Sequence, residues 1–248
     1  MSDDLEPIDP ETAVEMYLDD RRHNVAEATL QAHYYRLKQF TEWCQDQGIE
    51  NLNTLTGRDL HKYRVKRRNE DELATASMKG QLATLRMLLR FCATIDTVEP
   101  KLDEKIILSK TTQEDARDEM LESDQAEKIL DHLERYEYAT LEHTLIEVLW
   151  HTGVRIGAAR SLDIEDYNHD EQYLAVEHDP EQDTPIKNGN QGERFVAVND
   201  RVSGVLDDWL EVNHPGKTDE YGRTPLFAAN QGRLSRNYGR SIAYQWLC

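Results

Sequence analysis

The stretch His151-Thr152-Gly153-Val154-Arg155-Ile156-Gly157-Ala158-Ala159-Arg160-Ser161-Leu162 decides how the C-terminal half of the chain is interpreted. An apolar segment, residues 141–150, precedes it, and the length and spacing of that segment predict a buried helix. We expect the helix to end at Gly153, because glycine accepts the left-handed backbone found at helix C-termini. Arg155 would then follow a tight turn, where a permanently charged, planar guanidinium suits a phosphate. The alternative is a buried arginine paired with a carboxylate such as Glu165 or Asp166, and this stretch alone does not choose between the two.

The length and composition indicate a globular protein with room for two modest domains. The chain has 248 residues, of which 38% are hydrophobic and 31% charged. It has no run of about 18 apolar residues, and its acidic N-terminus lacks the apolar core of a secretory signal. The three cysteines, Cys44, Cys92 and Cys248, are far apart and odd in number, which fits a reducing cytosol. We therefore expect a cytoplasmic protein without a membrane span, a disulfide framework, a metal or a cofactor.

The charge balance is strongly acidic. The chain carries 48 acidic and 29 basic residues, a net charge of −19, and only 10 of the bases are lysine. Acidic residues spread along a folded chain, with lysine scarce, suggest adaptation to a cytoplasm rich in salt; the alternative is an ordinary acidic protein. This excess argues against nonspecific nucleic-acid binding at low salt, so the positions of local basic surfaces matter more than the total.

The first half of the chain predicts a compact bundle of four helices over residues 10–97. Residues 1–9 are expected to be a frayed acidic tail, and Asp9-Pro10 to open the first helix, which runs to about Asp20. An amphipathic stripe predicts a second helix from about Ala26 to Asp46, ended by Gly48. The fourth helix should span about 74–94. Residues 98–118 are predicted to link two domains, and residues 101–110 could be extended.

The third predicted helix carries the densest basic run of the chain. Thr56, with an acid three residues later at Asp59, is typical of a helix start. The bases that follow are Arg58, Lys62, Arg64, Lys66, Arg67 and Arg68. Most charge runs are solvated helix faces. In a chain this acidic we favour a phosphate-binding face.

The second half, residues 119–248, mixes helices with short strands. A helix is expected from a Ser123 cap to about Arg135 and another over 202–212, while residues 173–177 and 194–198 read as strands. Between the strands, Asn188-Gly189 is a tight-turn signal that would place Lys187 near a hairpin tip. After Glu220 the chain has no acid, and this segment forms a second basic patch. Its arginines are Arg223, Arg233, Arg236 and Arg240.

Taken together, these features resemble the tyrosine recombinases, also called phage integrases, of the Xer type. The order of a helical domain with a basic helix, then Thr152-Gly153-Val154-Arg155, then a hairpin with Lys187, carries the resemblance over residues 10 to about 245. Further matches in the first half are Ala28-Thr29-Leu30 and Phe40-Thr41-Glu42-Trp43-Cys44. The resemblance implies a mainly α fold with a small β-hairpin or sheet. It would comprise an N-terminal four-helix SAM-like core-binding domain and a partial integrase catalytic domain, residues 119–248.

The resemblance also implies roles for individual residues. Arg155 matches the first catalytic arginine, which binds the scissile phosphate, and Lys187 matches the hairpin lysine, which protonates the departing deoxyribose oxygen. Without the family, Lys187 would be read as a solvated turn lysine. The implied DNA-binding residues are Arg58, Lys62, Arg64, Lys66, Arg67, Arg68, Arg233, Arg236 and Arg240. The implied partners are double-stranded DNA and further copies of the chain on that DNA, with no membrane and no cofactor.

The sequence departs from the family at three points. The family places an acid three residues after the first arginine, where this chain has Ala158. It next requires a His-x-x-Arg motif and a nucleophilic tyrosine, and neither follows Lys187; Tyr238 and Tyr244 come too early. Without that nucleophile no phosphotyrosyl intermediate can form, so we expect a DNA-binding, catalytically incomplete protein: truncated, a fragment or a relic. The alternatives are a piece of an active site-specific recombinase, or a regulatory module whose basic helix meets an acidic partner.

Overall fold

A computed structural model describes residues 5–69, 73–108 and 121–247 of the chain. The chain divides into two compact units, Met1–Asp118 and Glu119–Cys248. The described part is mainly helical with two small antiparallel sheets, which confirms the predicted fold class. None of its helices is long and apolar enough to cross a membrane.

The first unit contains the four predicted helices. They are α1 (Pro10–Arg21), α2 (Glu27–Asp46), α3 (Gly57–Asn69) and α4 (Thr75–Thr94). The predicted start of α1 is confirmed, because the Asp9 carboxylate accepts a 2.9 Å hydrogen bond from the Thr12 N–H. Gly48 follows α2 with a φ of 67°, the left-handed conformation that ends a helix. The free thiols of Cys44 and Cys92 are buried among these helices.

The segment after α4 belongs to the core of the first unit. Val98, Leu102 and Ile106 are at most 5% exposed and pack with the buried residues of the four helices. Residues Leu102–Lys105 form a 3-10 helix. The predictions of a linker beginning at residue 98, and of an extended segment over 101–110, are therefore wrong for residues 98–108, because three apolar side chains anchor them. Residues 109–118 lie outside the described part.

The N-terminal segment is attached to the helices. The N–H of Glu6 donates to the carbonyl oxygen of Asp96 (2.8 Å), and the N–H of Ile8 donates to Asn51 Oδ1 (3.0 Å). The expectation of a frayed tail is therefore wrong for residues 5–9, since backbone hydrogen bonds hold them. Residues 1–4 lie outside the described part.

The second unit is built around a buried helix. Its helices are α5 (Ser123–Tyr136), α6 (Leu141–Thr152), α7 (Ile156–Ser161), α8 (Asp200–Asp208), which continues as a π-helical turn over Trp209–Asn213, and α9 (Arg236–Leu247). Its strands are β1 (Tyr167–Asn168), β2 (Tyr173–Val176), β3 (Arg194–Ala197), β4 (Ala228–Ala229) and β5 (Gly232–Arg233). Seven of the first eight residues of α6 are buried, and this confirms the prediction of a buried helix.

The two strands predicted from the sequence pair as β2 and β3 of a three-stranded antiparallel sheet, in which β2 is the central strand. Its order is β1-β2-β3, with Tyr173 opposite Ala197 and Leu174 opposite Val196. Leu174 and Val176 of β2 point into the core. The β4–β5 hairpin was not predicted, because its strands are only two residues long and show no alternation of polar and apolar residues.

Candidate functional site

Arg155 occupies a position fixed by the two helices on either side of it. Gly153 ends α6 in the left-handed conformation (φ 64°, ψ 17°), and its N–H donates to the Leu149 carbonyl oxygen at 3.0 Å. Val154, 5% exposed, anchors the turn in the core. Arg155 is then the N-cap of α7, and its carbonyl oxygen accepts the N–H of Ala158 at 2.8 Å. Burial on both sides of this turn holds the backbone of Arg155 in place.

The guanidinium of Arg155 is exposed and has no counter-ion among the residues that the structure describes. No carboxylate of the described residues lies within 4.0 Å of it, and it makes no hydrogen bond to any of them. The alternative of an arginine paired with Glu165 or Asp166 is therefore wrong. The side chain three residues on, Ala158, is buried at 6% exposure, so the family's acid is replaced by a methyl group in the core.

Lys187 lies in a longer connection than the sequence suggested. The segment joining β2 to β3, residues 177–193, contains an isolated bridge between Asp179 and Thr184 and a 3-10 turn over Gly189–Gly192. Asn188 is left-handed (φ 75°, ψ 11°), and the Gly189 N–H donates to the Ile186 carbonyl oxygen at 3.3 Å. This is the geometry of a type II turn, which needs asparagine or glycine at its third position. The turn is real, but it does not close a simple hairpin with Lys187 at its tip.

The ammonium of Lys187 is exposed and forms no ion pair with the described residues. The backbone behind it is crowded: a β-carbon at Gly192 would overlap the Lys187 carbonyl oxygen and lie 3.1 Å from Ile186 Cδ1. Only glycine fits there, so the course of the chain around Lys187 is closely constrained.

The bases of α3 are spread around the helix instead of forming one face. Thr56 Oγ1 donates to Asp59 Oδ2 at 2.6 Å and accepts the Asp59 N–H at 3.3 Å, which confirms the predicted helix start. Leu60 and Tyr63 face the core. Because successive residues of a helix are about 100° apart, six bases within eleven positions cannot all point the same way.

The six bases of α3 therefore differ in their surroundings. Arg67 turns inward and donates to Gln81 Oε1 of α4 (3.0 Å) and Gln39 Oε1 of α2 (3.2 Å). Lys66 pairs with Asp46 at 3.3 Å, and Arg64 is half-buried. The exposed bases are Arg58, Lys62, which also pairs with Asp59 at 3.0 Å, and Arg68.

The arginines of the acid-free segment likewise separate into internal and exposed ones. Arg233, whose side chain is 7% exposed, pairs with Asp163 and Asp219 and donates to the carbonyl oxygen of Arg160 at 2.9 Å. The prediction that Arg233 contacts DNA is therefore wrong, because its guanidinium is fully engaged inside the unit. Arg236 is half-buried, while Arg240 is exposed and forms no ion pair with the described residues.

Burial raises the pKa of two carboxyl groups near these arginines. Burial raises the pKa of Asp166 to about 6, although the carboxylate accepts the Asp163 N–H at 2.8 Å. Burial also raises the pKa of Asp163, because the opposing effect of Arg233 and Arg223 does not fully compensate for lost water. Asp163 and Asp166 form a capping box on the 3-10 turn Ile164–Asp166, which follows α7.

Sequence reasoning missed a buried ion-pair network beneath this site. Glu147 of α6 has no exposed surface and contacts Arg201 of α8 (2.6 Å) and His151 (3.1 Å). A glutamate inside the apolar segment before Arg155 was the one available signal. Among the described residues no group of three histidine, cysteine, aspartate or glutamate side chains could hold a metal ion.

Both units of the chain match models of known protein families. The model of the phage integrase family matches residues 119–245, and the model of the phage integrase N-terminal SAM-like domain matches residues 15–94. The chain belongs to the phage integrase family. Its relationship is thus to the site-specific tyrosine recombinases, and Arg155 and Lys187 both lie within the matched region. No curated protein matches the chain.

Solved structures of integrases share the fold. A lambda integrase dimer bound to a COC′ core site has a TM-score of 0.71 at 17% identity, covering 96% of this chain and 64% of that one. A Tn1549 transposon integrase in complex with a circular intermediate DNA has a TM-score of 0.70 at 16% identity, with coverages of 94% and 78%. The N-terminal domain of a phage integrase/site-specific recombinase from Haloarcula marismortui is 34% identical over 42% of this chain and 99% of its own length (TM-score 0.41). This integrase-family chain thus spans under two thirds of the lambda integrase it matches.

Proposed function

We propose that this phage integrase family protein binds double-stranded DNA and presents Arg155 and Lys187 to the phosphodiester backbone. The proposal rests on the exposed guanidinium of Arg155, which pairs with none of the described residues. An arginine that is held by a helix on each side, and that has no counter-ion in the described part of the chain, retains its capacity to bind an external anion. The absence of such a partner from the described residues is notable because the chain has 48 acidic residues that could pair with an arginine.

The chemistry of the two side chains suits phosphoryl transfer on DNA. A phosphate undergoing attack gains negative charge on its non-bridging oxygens, and the fixed donors of Arg155 would stabilise that charge. Lys187, on a constrained turn, would donate a proton to the departing deoxyribose oxygen. The two residues would thus act at the same phosphate, one on its charge and the other on its leaving group.

The proposed activity of these 248 residues stops short of strand cleavage. The sequence after Lys187 has no His-x-x-Arg motif and no tyrosine behind one, and His214 is followed by Lys217 at the arginine position. Tyr238 and Tyr244 lie on α9, 43% and 67% exposed, without that motif before them. We propose that the chain as given binds DNA noncovalently, and that cleavage requires groups which these residues do not supply.

Nonspecific affinity would come from those predicted DNA-binding bases that are exposed in the structure. In the first unit these are Arg58, Lys62 and Arg68, and in the second Arg240. Each phosphate neutralised contributes about −0.9 to the slope of log affinity against log salt. With the net charge of −19 opposing approach, we expect DNA affinity to be modest and steeply salt-dependent.

The setting and assembly state are part of the proposal. The lambda integrase structures include a dimer on a core site and a tetramer on a Holliday junction, and we propose that this chain also assembles on DNA. The 48 acidic residues and scarce lysine support a cytoplasm rich in salt as its location.

The direct test is the affinity of the protein for fluorescein-labelled duplex and four-way-junction DNA, followed by anisotropy across a series of KCl concentrations. We expect Arg155→Ala to weaken binding about tenfold, the size of one hydrogen-bonded charge contact. The matched control is Arg22→Ala, which removes an exposed arginine that pairs with Asp19. Equal affinities for the wild type and Arg155→Ala would refute the proposal.

A further inference from the structure

The segment connecting β2 to β3, residues 177–193, is held in place by an arginine of α7. Arg160 donates from Nη1 to the carbonyl oxygen of Asp183 (2.5 Å) and from Nη2 to Asp183 Oδ2 (2.6 Å). The Arg160 side chain is 15% exposed and that of Asp183 is 64% exposed, so only the arginine end of this pair is shielded from water. A planar fork that holds both the backbone and the side chain of one residue fixes its position and its orientation.

Two further arginines hold the neighbouring residues of the same segment. Arg223 donates to the carbonyl oxygen of Gln182 (2.6 Å) and to Thr184 Oγ1 (3.2 Å). Arg236, at the start of α9, donates to the carbonyl oxygen of Pro185 (3.2 Å). The contacts of Arg160, Arg223 and Arg236 thus fall on four consecutive residues, 182–185, and we call them the arginine clamp. The clamp ends two residues before Lys187.

The backbone at the centre of the clamp is in an unfavourable conformation. Asp183 has a φ of 55°, in the left-handed region that residues other than glycine seldom occupy. Such a residue persists only where its surroundings impose the conformation. The two hydrogen bonds from Arg160 supply that restraint, so loss of the fork should release the segment locally.

One short helix connects the clamp to Arg155. Arg155 is the N-cap of α7, and Arg160 is the fifth of its six residues. We propose that Arg160 is a positioning residue, which sets the reach of the Lys187 ammonium relative to the Arg155 guanidinium by holding residues 182–185. This inference rests on the proposed function, because the position of Lys187 matters only if Lys187 faces DNA.

Arg160 is the member of the clamp best suited to this role. Arg223 also pairs with Asp219 and Asp163, so changing it would disturb the internal ion-pair cluster. Arg236 makes a single 3.2 Å bond to the segment. Arg160 directs both terminal nitrogens at the segment, and Gly192 confines the Lys187 backbone from the other side.

The test is a double-mutant cycle between Arg160→Lys and Lys187→Ala, with two readouts. The first is affinity for the labelled duplex, and the second is hydrogen exchange of the amides of residues 186–193 in the free protein. Lysine keeps the charge but cannot form the bidentate fork, so the variant should fold. Arg135→Lys, an exposed position in the same unit, is the control.

We expect Lys187→Ala to weaken binding about tenfold and Arg160→Lys about threefold, with no further loss when both are present. Exchange at residues 186–193 should rise in Arg160→Lys and stay at the wild-type rate in Arg135→Lys. Arg160 does not act through Lys187 if the double variant loses affinity by the product of the two single losses, or if hydrogen exchange at residues 186–193 does not rise in Arg160→Lys. In either case the inference fails and the proposed function stands. If neither Lys187→Ala nor Arg155→Ala changes affinity, the proposed function itself fails, and this inference with it.

Discussion

Arg201 of α8 donates a 2.6 Å hydrogen bond from Nε to Oε1 of Glu147, a carboxylate of α6 with no exposed surface. Removal of one partner from a buried ion pair leaves an uncompensated charge. Because the Arg201 side chain is 40% exposed, we expect Arg201→Ala to lower the free energy of unfolding by about 2 kcal/mol, below the full value for buried pairs. Urea unfolding measures this, with Arg135→Ala as the exposed control. A loss no larger than that of the control would contradict a supporting role for this pair.

His143 should make stability fall in mild acid. Burial lowers the pKa of His143 below its usual 6.5, so the folded protein favours the neutral ring. Below that pH the unfolded chain binds a proton that the folded protein resists, and the free energy of unfolding decreases as the pH falls. We expect His143→Gln to weaken this dependence between pH 7 and 5, as measured by urea unfolding at each pH. An unchanged slope in the variant would assign the effect to other groups.

Asp166 should make the protein less stable as the pH rises, which is opposite to the effect of His143. Its pKa of about 6 lies above the usual 3.8, so the folded protein favours the protonated carboxyl and loses stability as the pH rises from 4 to 7. Asn is neutral at every pH and its oxygen can still accept the Asp163 N–H. The free energy of unfolding of Asp166→Asn, relative to that of the wild type, should therefore increase by about 2 kcal/mol between pH 4 and pH 7, allowing for solvent screening. A difference between the two proteins that does not vary with pH would rule this out.

Arg233 and Arg240, seven residues apart, should respond differently to replacement. Arg233→Met leaves Asp163 and Asp219 without their main partner and should lower the free energy of unfolding by about 3 kcal/mol. Arg240→Ala should leave stability unchanged within about 0.5 kcal/mol, since it is exposed, but weaken DNA binding. Thermal melts and duplex anisotropy on both variants separate the two roles. Equal effects on stability would contradict the assignment of Arg233 to the interior.

Salt should affect folding and DNA binding in opposite ways. A net charge of −19 disfavours the compact state through self-repulsion, which salt screens. We expect the melting temperature to rise, and DNA affinity to fall, as KCl increases from about 0.1 M to 1 M. Both are measured on the same preparation. A melting temperature independent of KCl would favour an ordinary acidic protein over one adapted to salt.

The sequence predicted those features of the fold that depend on near neighbours. Asp9, Gly48, Thr56 and Gly153 mark helix ends through contacts within a few residues, and each prediction holds in the structure. Apolar periodicity located α2, α4 and α6, whereas α1 and α3 were recognised mainly from the capping residues at their N-termini. The two-residue strands of the β4–β5 hairpin are too short to leave such a pattern.

The site could be predicted only in part, for the same physical reason. The Thr152–Arg155 turn is a local feature. The order of this turn and the other motifs along the chain carried the family resemblance, which implied the roles of Arg155 and Lys187. The environments of the other bases depend on distant partners: Arg233 meets Asp163 70 positions away, and Arg67 meets Gln39 28 positions away. Composition alone does not distinguish such arginines from exposed bases, although hydrogen bonds hold them inside the fold.

The burial of Val98, Leu102 and Ile106 has a practical consequence for work with separated pieces of this chain. A fragment that stopped at the last residue of the bundle, as sequence patterns would suggest, would lose three core side chains and expose the cavity they fill. Fragments of the first unit should therefore retain residues 98–108. Expression yields and melting curves of fragments ending at 97 and at 108 would differ accordingly, with the shorter one prone to aggregate.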